Sequence, residues 1–188
     1  MKQKDLNEKK IIIMGTGGSG KTIYASNLWK SFKCPIAYDI SGDYKKLAGG
    51  IAYNPRNIDA EFLGFIKLYH QINAKKKIDA VFFDDADAYI NEKIMYEYLF
   101  KDLVVRHRNF HHVTLIFICK RPQNLPTWIV ENYHMFRIFK MEGHNALMRL
   151  SDLDKRLGPM IEDLNTKLFY SIEKWEGLPP ELMQPVKP

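Results

Sequence analysis

Hydrophobic residues fall along this chain in two spacings. Ile11, Ile12, Ile13 and Met14 are consecutive, as in a strand buried on both faces. Pro35 to Ile40, Ile78 to Phe83 and Val113 to Cys119 read the same way, each closed by a turn-forming or charged residue. Between these runs apolar residues recur every three or four positions. Phe62, Phe65, Ile66 and Tyr69 mark a helix over 58–74, and related patterns predict helices over 21–32 and 91–108. Shorter helices are predicted over 127–132, 145–150 and 159–164, with short strands near Ala52 to Pro55, Met135 to Met141 and Lys167 to Ile172. Strands alternating with helices predict an α/β fold, a mostly parallel sheet with helices on both faces. Residues 1–178 read as one domain without internal repeats, and the proline-rich tail 179–188 reads as irregular.

Composition narrows the class. The 188 residues are 46% hydrophobic and 27% charged, enough to bury a core and unlike a disordered chain. A net charge of +6 favours an anionic partner without saying which. Two cysteines, Cys34 and Cys119, cannot build a disulfide scaffold and fit a reducing, intracellular setting. No apolar run approaches the ~18–20 residues of a membrane span. The basic start followed by Ile11 to Met14 imitates a secretion signal, but its apolar part is too short. A first buried strand is the expectation.

Gly15-Thr16-Gly17-Gly18-Ser19-Gly20-Lys21-Thr22 matches GxxxxGK[ST], between a buried strand and a helix. Glycines allow backbone N–H groups to close around phosphate oxygens, and the helix N-terminus adds positive charge there. Lys21 is then the residue for the β- and γ-phosphates of a nucleoside triphosphate such as ATP, and Thr22 a ligand for Mg²⁺. The complementary acid should end another central strand. Ala80-Val81-Phe82-Phe83-Asp84-Asp85 supplies it: Asp84 for the metal, and Asp85 to orient or deprotonate the attacking water. Asp87 is a second candidate for that task.

These residues, an Arg106-His107 pair, the next strand and the Arg121-Pro122-x-x-Leu125-Pro126 turn, in that order, resemble the FtsK–HerA superfamily of DNA-pumping ATPases. The small size and the Arg106-His107-Arg108-Asn109 segment look most like the genome-packaging ATPases of double-jelly-roll-capsid viruses. Asp39-Ile40-Ser41-Gly42-Asp43-Tyr44 resembles the family's D-x-x-G-E-Y stretch, and the similarity covers roughly residues 9–141. The resemblance implies a RecA/ASCE-like P-loop NTPase: a three-layer sandwich hydrolysing ATP with Mg²⁺. It implies a pentameric or hexameric ring of copies that translocates DNA through sequence-independent phosphate contacts. Capsid or portal-vertex partners, the host cytoplasm and association with the virion are implied in the same way. It also implies an arginine finger contributed to a neighbour's site, with Arg106 preferred over Arg108; without it, both read as cations suited to a helix C-terminus.

Three positions depart from the family pattern. Asp85 stands where Glu is usual, Lys120 where a polar sensor is usually Gln, and Val130 where relatives often carry Arg. Lys120 can meet a γ-phosphate as a point charge but cannot accept a hydrogen bond. The missing roles either move to Lys120, Arg121 and Gln123, or hydrolysis is coupled to motion differently.

Other constellations carry less. His107, His111 and His112 lie near Cys119 in sequence, yet their spacing matches no zinc pattern. Trp128 reads equally as a base-stacking loop aromatic or a hydrophobic plug. Lys45, Lys46 and Lys75 to Lys77 are candidate DNA contacts. A small-molecule kinase would draw its lid from 145–159, with Arg149, Lys155 and Arg156; a phage morphogenesis or secretion ATPase, or a slowly hydrolysing assembly switch, are further readings. Residues 101–140 hold seven basic side chains against Asp102 and Glu131, so this stretch carries most of the excess charge. It is expected to face a neighbour's triphosphate.

Overall fold

The computed structural model describes residues 5–164 and 169–185. Eight strands form one sheet: β1 (Lys10–Met14), β2 (Pro35–Tyr38), β3 (Ile51–Tyr53), β4 (Ala80–Phe83), β5 (Thr114–Cys119), β6 (Met135–Ile138), β7 (Ser171–Trp175) and β8 (Glu181–Met183). Their spatial order is β3-β2-β4-β5-β1-β6-β7-β8. The first six in that order pair in parallel, and β7 and β8 close the edge antiparallel. Three long apolar runs of the sequence therefore lie side by side in the middle, where both faces need cover.

The two faces are covered unequally. Ile11 and Ile13 of β1 point with Ala37, Phe82 and Ile116 toward helix α1 (Lys21–Trp29), which adds Ala25, Leu28 and Trp29. Ile12 and Met14 point to the larger core. There α2 (Ile58–Asn73), α4 (Tyr98–Arg106), α6 (His144–Leu153) and α7 (Leu157–Leu164) bury Phe65, Phe100, Leu150 and Ile161 among others. This is the expected three-layer α/β sandwich, with the mostly parallel sheet in the middle.

Several boundaries move. The helix expected over 91–108 is two, α3 (Glu92–Met95) and α4, because Glu97 takes an extended backbone and the buried stripe begins only beyond it, with Phe100, Leu103 and Val104. A wider turn over His107–His111 follows α4. The tail expected to be irregular contributes β8, which only an edge strand flanked by prolines can do. The last strand before it is Ser171–Trp175 rather than Lys167 to Ile172, and Lys167 and Leu168 lie outside the described residues. A short helix, α5 (Thr127–Glu131), precedes β6.

Candidate functional site

The glycine-rich loop leaves the C-terminal end of β1 and is tied to both neighbouring strands. Gly15 N donates to Cys119 O at 3.3 Å, and Thr16 N to Lys140 O at 2.9 Å. Gly15 has φ +152°, and a Cβ there would stand 2.8 Å from Phe139 Cβ and 2.9 Å from Lys140 O, so a side chain is excluded. Gly20, at φ +105°, turns the chain into α1. Lys21 Nζ donates to Gly15 O at 2.7 Å and to Thr16 O at 2.9 Å, folding over the loop. Burial lowers the Lys21 pKa, and the nearby Asp85 charge opposes that shift. Ser19 Oγ is buried without a partner inside the loop. A cavity of about 150 Å³ opens here, bordered by Gly18 to Ile23 and by Phe169.

The acids follow at the same, C-terminal, end of the central strands. Register places Phe83 beside Phe117 and Met14 beside Cys119, so the chain leaves β4, β5 and β1 at one end. Asp84 is buried, and Ser41 N donates to its Oδ2 at 3.0 Å. Burial raises its carboxyl pKa. No cationic side chain pairs with it among the described residues, so a divalent cation suits its charge. Thr22 lies in the first turn of α1 beside the same cradle. The unpartnered Ser19 hydroxyl, the cradle that excludes a Cβ at Gly15 and the buried Asp84 together fit a Mg²⁺–triphosphate.

Asp85 adopts a left-handed backbone at φ +45°, which Asp tolerates better than most residues. Its Oδ2 accepts from Lys120 Nζ at 2.8 Å, and this contact raises the Lys120 pKa. Asp87 takes another task than the one sequence offered: its two oxygens accept from the Lys120 and Arg121 amides at 3.0 and 2.9 Å. It clamps the turn that presents Lys120. Val130 is buried on α5 and so belongs to the core.

Arg106 and Arg108 lie at the opposite end of the central strands, before β5. They end α4 and enter the turn that leads into the start of β5, which lies six residues or roughly 20 Å before Lys120. Arg106 donates to Asp102 at 3.0 Å and stacks on Phe110 at 4.3 Å. Arg108 borders a pocket with Lys10, His107 and Trp128. Trp128 covers Lys10, whose Nζ lies 4.1 Å from the ring. Cys119 is fully buried, which pushes its thiol pKa well up and leaves it inert, at the opposite end of β5 from His111.

The charge expectation for 101–140 is corrected. Arg137 is buried against Glu173 at 2.9 Å, Lys140 pairs with Glu142, and Lys120 belongs to its own chain's site. Lys45 and Lys46 follow the C-terminal end of β2, whereas Lys75 to Lys77 precede β4 at the opposite end, so they form no single patch. Ser41 and Phe169 were missed. Ser41 lies in the Asp39–Tyr44 stretch that the family likeness marks, but its partner emerges only once β2 and β4 pair; nothing in the sequence marks Phe169.

By sequence the chain matches no family model and no curated protein. By structure it is similar to the genome packaging NTPase B204 from Sulfolobus turreted icosahedral virus 2, solved with AMPPCP. The TM-score is 0.77 at 15% identity, covering 96% of this chain and 99% of that one. The fold is that of a P-loop NTPase. B204 from Sulfolobus Turreted Icosahedral Virus, a DNA-packaging ATPase, shares this P-loop fold at TM-score 0.75 and 14% identity, over 97% of this chain and 100% of that one. The cytoplasmic domain of the Thermomonospora curvata type VII secretion ATPase EccC gives 0.64 at 11% identity, with 96% of this chain covering 26% of it. The motif likeness and the likeness in P-loop fold therefore meet on the same proteins.

Proposed function

We propose that the chain hydrolyses ATP and couples hydrolysis to moving DNA, as one subunit of a genome-packaging ring. The observation that carries this reading is the match in fold to the packaging NTPases, which covers 96–97% of this chain and 99–100% of theirs. Within that frame each residue has a task. The loop amides and Lys21 hold the β- and γ-phosphates, and Thr22 and Asp84 would hold Mg²⁺. Bound there, Mg²⁺ neutralises charge on the phosphate oxygens. Asp85 orients the attacking water and accepts its proton, while Lys120 positions Asp85.

The remaining charge has to come from a neighbour. Arg106 and Arg108 sit at the end of the central strands opposite their own loop, which supports a finger acting between subunits. Exposed Tyr98, Val105 and Phe110 surround Arg106 and give that end an apolar rim suited to a second copy. DNA is contacted through phosphates, so its effect on turnover falls as salt rises. The kinase reading loses its lid: Arg149 is tied to Gln123 O at 3.0 Å, and Arg156 to Asp154.

Mixing tests the reading. Arg106→Ala and Asp85→Asn chains should each be inactive alone and regain part of wild-type turnover when combined, because an intact pocket then meets an intact finger. Double-stranded DNA should raise wild-type turnover. No recovery on mixing together with no response to DNA would remove the proposal.

A further inference from the structure

Away from the triphosphate site, three side chains converge from separate elements. His70 near the end of α2, Asp102 of α4 and His111 of the following turn each bring one donor atom within 4.8 Å of the others. His111 Nε2 and Asp102 Oδ2 share a proton at 2.9 Å. The Leu99 carbonyl anchors His70 Nε2 at 3.1 Å, and the two imidazole rings meet edge to face. Beside them Tyr69 is fully buried, its hydroxyl has no hydrogen-bond partner, and it feels the Asp102 charge. In sequence His111 lies near His107, His112 and Cys119 without a zinc spacing, and β5 separates that cysteine from the histidines.

We infer that His70, Asp102 and His111 bind a divalent transition-metal ion of the zinc type. Two imidazoles with one carboxylate suit zinc, cobalt or nickel rather than magnesium or calcium, which prefer oxygen alone. Binding displaces the proton between His111 and Asp102, which leaves to solvent. Three protein donors leave a position for water, and the unpartnered Tyr69 hydroxyl offers that water a hydrogen-bond partner. The ion would join α2 to α4 and to the turn entering β5. It would also compete with Arg106, whose guanidinium holds the other Asp102 oxygen at 3.0 Å. The site lies at the end of the central strands opposite Thr22 and Asp84, so it is separate from any magnesium bound with nucleotide.

The test uses the full chain, stripped with chelator and free of nucleotide. Zn²⁺ is titrated by calorimetry and Co²⁺ by its visible absorption, with thermal unfolding measured in parallel. The expected result is one ion per chain and a higher Tm with Zn²⁺. His70→Gln and Asp102→Asn should each weaken binding by about 100-fold or more. Arg106→Ala should tighten it several-fold by removing the competing cation, and Asp84→Asn should leave it unchanged. His111 is buried and its replacement could unfold the chain, so the half-buried His70 carries the test. Absence of stoichiometric binding in the wild type, or binding unaffected by both His70→Gln and Asp102→Asn, overturns the inference.

Discussion

Asp85 is held twice, by a left-handed backbone at φ +45° and by Lys120 Nζ at 2.8 Å. A carboxylate fixed in this way is oriented before water arrives, which suits a group that must align the nucleophile and take its proton. Asp85→Asn should therefore bind nucleotide normally and lose about 10²–10⁴ in turnover. Lys120→Gln removes the charge and keeps a polar group able to bond Asp85, so turnover should stay within about tenfold of wild type. Comparable losses in both variants, in a steady-state phosphate-release assay, would make Lys120 part of the chemistry rather than its positioning. At this scale the placement of the candidate site was legible, because Gly15 to Thr22 form one contiguous string after β1 and Asp84 directly follows β4. Ser41 and Phe169 were not, since each reaches the site by strand pairing or by the return of a distant segment.

Elements were legible where burial is complete and ambiguous where it is partial. The runs that became β1, β4 and β5 carry apolar residues on both faces; β8, with exposed Glu181 and Leu182, has no such signature and forms only because β7 offers an edge. One strand carries a cost the hydrophobic pattern did not foretell. Lys10 opens β1 almost fully buried, with the Trp128 ring as its neighbour and no ion pair among the described residues, and burial pulls its pKa from 10.5 to about 8. The folded pKa lies below the unfolded one, so between those values the unfolded chain binds a proton that the native chain does not. Stability should thus rise as pH increases from about 8 to 10.5 and level off above. Lys10→Met keeps the length, loses the charge, and should stabilise the fold by about 1–3 kcal/mol at pH 7 while lacking that slope. Denaturant unfolding of both proteins across this range decides it: a destabilised variant would mean the cation–π contact outweighs desolvation.

For the whole molecule the charge of +6 proves less informative than its distribution. The seven basic side chains of 101–140 divide among three places: Lys120, Arg121 and the Glu142-paired Lys140 at the end of the strands that carries the loop, Arg137 buried against Glu173, and Lys101, Arg106 and Arg108 along α4 and its end. In the last group Arg106 borders exposed apolar side chains, with Val105 and Phe110 more than half exposed. Under the proposed function, one end of the central strands would hold phosphate and the other would meet a neighbouring copy. If the second end of one copy completes the first end of another, turnover per chain must depend on concentration, rising to a plateau as subunits associate. Val105→Asp places a charge in that apolar rim without touching the core, so at dilutions where both chains are unassembled its Tm should match wild type. The half-maximal concentration for turnover should move up by about tenfold or more, the effect of a central interface contact. Sedimentation over the same dilution series should place the loss of turnover at the loss of assembly. Turnover independent of concentration, from a chain monomeric throughout, would remove the finger reading, since the length of β5 separates Arg106 from its own loop.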